Sequence, residues 1–103
     1  GYADGYPRCL SSLGTASVHG KPAPVIGRVS MDQIVLDISA VPEVSAGDEA
    51  VLLGPAPADS FAQAAEKAGT ISYELLCAVA RRVPRVYRRG GRVVEVLDYL
   101  DQE

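Results

Sequence analysis

The sequence predicts a mainly β fold: a small, β-barrel-like domain carrying two short helices. Three observations predict it. The first half is made of short extended runs rather than helical repeats. Turn signals at His19-Gly20-Lys21, Ala46-Gly47-Asp48 and Gly54-Pro55 punctuate those runs. Helix start and stop signals occur only in the second half. A length of 103 residues holds one domain with a modest core.

In chain order, residues 16–18 form a short strand closed by the turn at His19-Gly20-Lys21. Pro22 and Pro24 lack an N–H, so the next strand can start only irregularly or at a sheet edge. Extended chain continues over residues 25–29. Residues 33–38 alternate, putting Ile34, Leu36 and Ile38 on one face of a strand. Residues 49–53 form another strand. Ser60 with Gln63 three positions later is a capping box that opens the first helix, with Phe61, Ala64, Ala65 and Ala68 on one face. Gly69 is its expected left-handed cap. A second helix starts after Ser72, with Glu74 in its first turn and Arg81 and Arg82 in its last. Its apolar stripe is Leu75, Leu76, Val79 and Val83, and Pro84 stops it. The tail is a hairpin turning at Gly90-Gly91, where two positive φ angles suit a primed two-residue turn.

Composition excludes several classes. Lys and Arg total 10 against 13 Asp and Glu, a net charge of −3, which argues against a nucleic-acid binder. No apolar run approaches the roughly 18 residues of a membrane span, so no membrane partner is expected. Cys9 and Cys77 are far apart and there is one histidine, so no metal ligand set is expected. The cysteines read as free thiols of a cytoplasmic protein, with a Cys9–Cys77 disulfide as the alternative.

The arginines at 81, 82, 85, 88, 89 and 92 read as a solvated or carboxylate-paired face, against the alternative of an anion or RNA patch. His19 reads as an exposed turn residue. The segment Gly27-Arg28-Val29-Ser30-Met31-Asp32-Gln33 fits either a bulge or tight loop, or a loop whose backbone N–H groups face an anion such as a substrate carboxylate, with Arg28 adding charge. Tyr2 and Tyr6 read as core aromatics or, in a Gly-x-Ala-Asp-Gly frame, as loop residues. Tyr73, at a helix start, is placed to meet a phosphate.

Four ordered segments carry a family resemblance: Gly1-Tyr2-Ala3-Asp4-Gly5-Tyr6-Pro7-Arg8, Gly27-Arg28-Val29-Ser30-Met31-Asp32-Gln33, Gly69-Thr70-Ile71-Ser72-Tyr73-Glu74 and Arg82-Val83-Pro84-Arg85. Over nearly its whole length the chain resembles the C-terminal domain of alanine racemases, enzymes that use pyridoxal 5′-phosphate to interconvert L- and D-alanine for peptidoglycan. The resemblance implies that the Met31 backbone N–H binds the substrate carboxylate. It implies that Tyr2 and Asp32 lie beside the substrate and that Arg28 belongs to the entry corridor. It gives the Tyr73 hydroxyl to the cofactor phosphate and places Ile71 with it in the corridor. Ser30 receives no fixed role.

Racemisation needs two bases on opposite faces of Cα. The resemblance assigns them to a cofactor-bearing lysine in an N-terminal barrel and to a tyrosine upstream of Gly1, so no catalytic residue is expected here. Residues 1–103 are expected to be the C-terminal β domain of a larger homodimeric enzyme, without the barrel or the start of the β domain, and inactive alone. Its partners would be a small amino acid and the barrels of its own and a second subunit. Two alternatives stand beside this reading: a self-associating assembly module, and a racemase of another small amino acid.

Overall fold

A computed structural model describes residues 1–98. The domain expected over residues 1–103 therefore has its last five positions outside the described residues. Two 3-10 turns, Tyr2–Asp4 and Arg8–Leu10, open the chain. They are followed by strands β1 (Thr15–Val18), β2 (Lys21–Pro24) and β3 (Ala50–Val51), helices α1 (Phe61–Ala68) and α2 (Ser72–Ala78), and strands β4 (Arg85–Arg89) and β5 (Arg92–Leu97).

The strands build a three-stranded antiparallel sheet in the order β2-β1-β3 and a separate two-stranded sheet, β4-β5. The mainly β reading with two short helices holds, but among the described residues neither sheet closes into a barrel. The centre of the larger sheet is β1, with Ala16, Ser17 and Val18 buried. The turn after it places His19 and Gly20 at φ 51° and 71°, the left-handed pair of a primed turn. With its two prolines, β2 takes a sheet edge, where their missing N–H groups cost least.

Three expected spans are shorter in the structure. Residues 25–29 and 33–38 do not form a ladder; a single bridge joins Val25 to Leu36, flanked by bonds from Ile26 N–H to the Val35 carbonyl (2.9 Å) and from Asp37 N–H to the Pro24 carbonyl (2.8 Å). Gly27 at φ 73° bends one side away. On the other side Asp37 accepts from the Ser39 N–H at 2.9 Å and hydroxyl at 2.6 Å, which curls the chain into a turn and leaves Ile38 exposed. The third is residues 49–53, which contract to the two residues of β3 and a bridge between Leu53 and Asp59.

The capping box opens α1 as the sequence predicts: Gln63 N–H donates to Ser60 Oγ (3.1 Å) and Ser60 N–H to Gln63 Oε1 (2.9 Å). Gly69, at φ 74°, closes it, and Ala64 and Ala65 are buried with Tyr6, Leu10, Val25, Val29 and Leu75. In contrast, α2 stops at Ala78, so Arg81 and Arg82 lie beyond it and of the expected stripe only Leu75 is buried. Val79 is extended. Two interactions favour that exit. Ala80 N–H leaves the helical ladder to donate to the Asp4 carbonyl at 3.1 Å. The Arg85 guanidinium donates to the carbonyls of Val79 (3.1 Å), Ala80 (2.9 Å) and Val83 (2.5 Å), gathering the segment beyond the helix end.

The hairpin turns at Gly90 and Gly91, at φ 57° and 80°, and carries a bulge between Tyr87 and Arg88. Val86, Tyr87, Val93, Val94 and Val96 are all about half exposed.

Candidate functional site

The site is organised by the first five residues, which are wedged between two other segments. On one side, Tyr2 N–H donates to the Ser30 carbonyl and Ala3 N–H to the Met31 carbonyl, both at 3.0 Å. This contact is so close that a Cβ on Gly1 would sit 2.1 Å from the Ser30 oxygen. On the other side, Gly5, at φ 116°, lies against the end of α2, where an added Cβ would meet the Ala78 oxygen at 2.7 Å. Glycine is required at both positions because no side chain fits.

The Ser30-Met31-Asp32-Gln33 segment is a tight turn rather than a bulge. Ser30 N–H and hydroxyl both donate to the Gln33 carbonyl at 3.0 Å, and Gln33 N–H returns to Ser30 Oγ at 3.0 Å. Ser30 thus has a structural role that the sequence left unassigned. The peptide units are trans here, so the Ser30 carbonyl and the Met31 N–H point in opposite directions. With the carbonyl held by Tyr2, the Met31 N–H is turned away from the Gly1-Tyr2 backbone. The Met31 and Asp32 side chains are exposed.

Asp4 links this turn to the segment after α2. Its carboxylate accepts from Arg82 Nε. The Arg82 guanidinium holds the Asp4 carboxyl well below the usual carboxylate range. Reciprocally, Asp4 holds the Arg82 guanidinium above its ordinary value, with Asp32 contributing through its charge. Tyr2, Met31, Asp4, Arg82 and Asp32 therefore form one group.

Arg28 is exposed on the loop just before that turn. Ile71 and Tyr73, 63% and 73% exposed, stand at the start of α2. Neither hydrogen-bonds to the Met31 group among the described residues. A cavity of about 360 Å³ is lined by Tyr2, Gly69, Thr70 and Glu74, among others; Ile71 and Tyr73 stand beside these residues in sequence but do not line it. Thr70 Oγ1 donates to Glu74 at 2.6 Å and stiffens that part of the lining.

Tyr6 falls on the core side of its two readings: it is 5% exposed, and its hydroxyl has no hydrogen-bond partner among the described residues. Burial first, then the Asp59 charge, pushes its pKa up to about 12. His19 is an exposed turn residue, 2.9 Å from Asp48 and 3.7 Å from Glu43. Both cysteines are free, exposed thiols. Among the described residues there is no cluster able to hold a metal and no helix long and apolar enough to cross a membrane.

An exposed phenol at Tyr73 fits a hydrogen bond to a phosphate oxygen. The lysines do not fit covalent attachment of a carbonyl cofactor. Lys67 Nζ is held by both Asp59 oxygens (2.9 and 3.0 Å) and by the Leu13 carbonyl (3.0 Å). Lys21 pairs with Glu43 across 3.7 Å. The sequence offered no signal for the Lys67–Asp59 pair, which joins α1 to the start of β1 across 44 residues through Asp59 and Thr15 N–H (2.9 Å). The sequence marked Arg82 and Arg85 as part of an arginine run and of the Arg82-Val83-Pro84-Arg85 segment, without showing their partners.

The fold and site define a small, mainly β domain that presents a turned-out Met31 N–H, exposed tyrosines at Tyr2 and Tyr73, and a concavity walled in part by Tyr2. The chain belongs to the family described as alanine racemase, C-terminal domain, whose model matches residues 1–87. It is 46% identical to alanine racemase 1 of Clostridium acetobutylicum over 97% of this chain and 26% of that protein. Among solved structures, alanine racemase from Bacillus anthracis with bound L-Ala-P is 41% identical with a TM-score of 0.87, over 98% of this chain and 26% of that one. Alanine racemase from Bartonella henselae, with covalently bound pyridoxal phosphate, is 35% identical with a TM-score of 0.77, over 85% of this chain and 25% of that one. The chain thus spans about a quarter of the length of these relatives.

Proposed function

We propose that this chain is the part of a pyridoxal-phosphate-dependent alanine racemase that positions the substrate carboxylate and one end of the cofactor phosphate. The observation that carries the reading is the pinned Ser30–Met31 peptide. A backbone N–H aimed outward from a rigid turn can receive a carboxylate without reorganising, so its dipole is already in place when the charge arrives. Asp32 follows that peptide in the turn, and Tyr2 and Arg28 would line the approach to the substrate. Tyr73 would donate to the cofactor phosphate, with Ile71 beside it narrowing access. The cofactor would take up the electron pair left at Cα when a proton is removed.

Proton transfer itself needs two bases on opposite faces, and the residues described here supply neither. Both lysines are held in ion pairs. An unperturbed tyrosine, with a pKa near 10, is a poor base at neutral pH without a cationic neighbour. The bases would come from the remaining length that the relatives possess, in a homodimer working in the cytoplasm. In the full-length protein, Tyr73→Phe should weaken cofactor affinity while leaving the fold intact. Unchanged affinity, read by fluorescence titration, would remove Tyr73 from the site. The purified 103-residue chain, given pyridoxal phosphate and L-alanine, should form no lysine-bound absorbance band and no D-alanine; either signal would contradict the assignment of both bases elsewhere.

A second reading, self-association, is favoured by the apolar side chains exposed on the hairpin. It is compatible with the first reading and is tested separately by sedimentation.

A further inference from the structure

We propose that Arg82 is a positioning residue: acting through Asp4, it holds the 3-10 turn Tyr2–Asp4, whose backbone sets the direction of the Met31 N–H. The inference rests on the reading of that N–H as the carboxylate donor.

The Tyr2–Asp4 turn is only three residues long and has no buried side chain, so it has little packing of its own to keep it in place. What fixes it is at its two ends. Tyr2 and Ala3 donate to the Ser30 and Met31 carbonyls at 3.0 Å. Asp4 accepts from Arg82 through its carboxylate and from Ala80 through its carbonyl. The turn therefore works as a lever between the segment after α2 and the Ser30–Met31 peptide. Releasing its Asp4 end frees Tyr2 N–H to drift, and the Ser30 carbonyl loses the partner that holds the peptide plane. In a planar trans peptide, rotation of the carbonyl rotates the Met31 N–H with it.

The energetics agree with a geometric role. The Arg82 and Asp4 side chains are 49% and 28% exposed, and ion pairs in such settings contribute little to stability. Asp32, on the other side of the Met31 peptide, also acts on Arg82 through its charge. A planar donor fork holds direction as well as distance, which an ammonium does not.

The test uses the full-length enzyme with Arg82→Gln, Arg82→Lys, Asp4→Asn and the Arg82→Gln/Asp4→Asn double variant. The probe is propionate, which carries the carboxylate without the amino group. Arg82→Gln should raise the alanine KM and the propionate inhibition constant about tenfold, the scale of a sub-ångström misplacement. Cofactor affinity should stay unchanged. Asp4→Asn should do the same, and the double variant no more than either single one. Arg82→Lys should fall between Arg82→Gln and the unsubstituted enzyme. Amide exchange at Tyr2 and Ala3 should speed up in Arg82→Gln without faster exchange in β1. Unchanged exchange at Tyr2 and Ala3, or cofactor affinity falling in step with propionate affinity, would overturn the proposal. If the unsubstituted enzyme racemises alanine but propionate does not compete, the carboxylate reading fails instead, and the exchange result alone decides whether Arg82 holds the turn.

Discussion

The Tyr6 hydroxyl is buried against Gly14, where an added Cβ would lie 2.0 Å from it. Removing an unpaired buried hydroxyl relieves its desolvation, so Tyr6→Phe should stabilise the domain by about 1 kcal/mol in urea unfolding. Gly14→Ala should destabilise by about 2 kcal/mol through overpacking, and most of that loss should be recovered in the Tyr6→Phe background, because the clash is with the hydroxyl. The same residue predicts a pH dependence. The folded-state pKa of about 12 lies above the ordinary 10.0. Between these values the unfolded chain releases a proton that the folded chain keeps, so stability falls as pH rises from about 10 to about 12. Melting curves of Tyr6→Phe should lack that component. Lys67→Met leaves the Asp59 carboxylate buried without its cation and should cost about 3 kcal/mol in the same unfolding assay. The partners of these residues were not legible in the sequence, which leaves Tyr6 between a core aromatic and a loop residue and presents Lys67 as a polar helix position. Both acquire their roles from residues eight or more positions away.

At the scale of elements, glycines of different kinds separate what is local from what is not. Gly69 closes α1 in open space, so Gly69→Ala pays only for its left-handed backbone, about 1 kcal/mol. Gly5 has a left-handed backbone too, but a methyl there would also meet the Ala78 oxygen at 2.7 Å and Val79 Cα at 2.8 Å. Gly5→Ala should cost clearly more than Gly69→Ala and, on the proposed function, should raise the alanine KM of the full-length protein, since it pushes the first turn off α2. Chemical denaturation and steady-state kinetics check the two halves of that statement. The capping box, the Gly69 cap and the Gly90-Gly91 hairpin are legible because each signal lies within a few residues of what it controls. The end of α2 is not. Helix propensity carries it toward Pro84, and the chain leaves at Ala78 for a partner at Asp4 and a guanidinium at Arg85.

At the scale of the molecule, the described chain divides into a packed part and a hairpin whose side chains remain largely in solvent. An isolated two-stranded hairpin is marginal in water. Backbone amides of β4 and β5 should therefore exchange faster than those of β1, which sits at the centre of its sheet with buried side chains; equal protection would show the hairpin to be covered. If the exposed valines drive association, Val94→Lys with Val96→Lys should shift sedimentation toward monomer without changing the melting midpoint. The matched family model ends at residue 87, inside β4, so most of the hairpin lies outside the matched span.

By itself the sequence determined the mainly β class, the start and cap of α1, the turn residues and the family, because motif letters and short-range signals are local. It also singled out Tyr2, Arg28, Met31, Asp32, Ile71 and Tyr73 as candidates through resemblance. Only the tertiary structure decided which of them meet. It tied the Ser30–Met31 peptide through Tyr2 and Asp4 to Arg82, left Ile71 and Tyr73 outside that group, and set the strands of the barrel-like expectation in two sheets, neither closed among the described residues. The physical reason is that a backbone N–H acquires a direction, and a carboxylate a partner, only from groups that folding brings beside them.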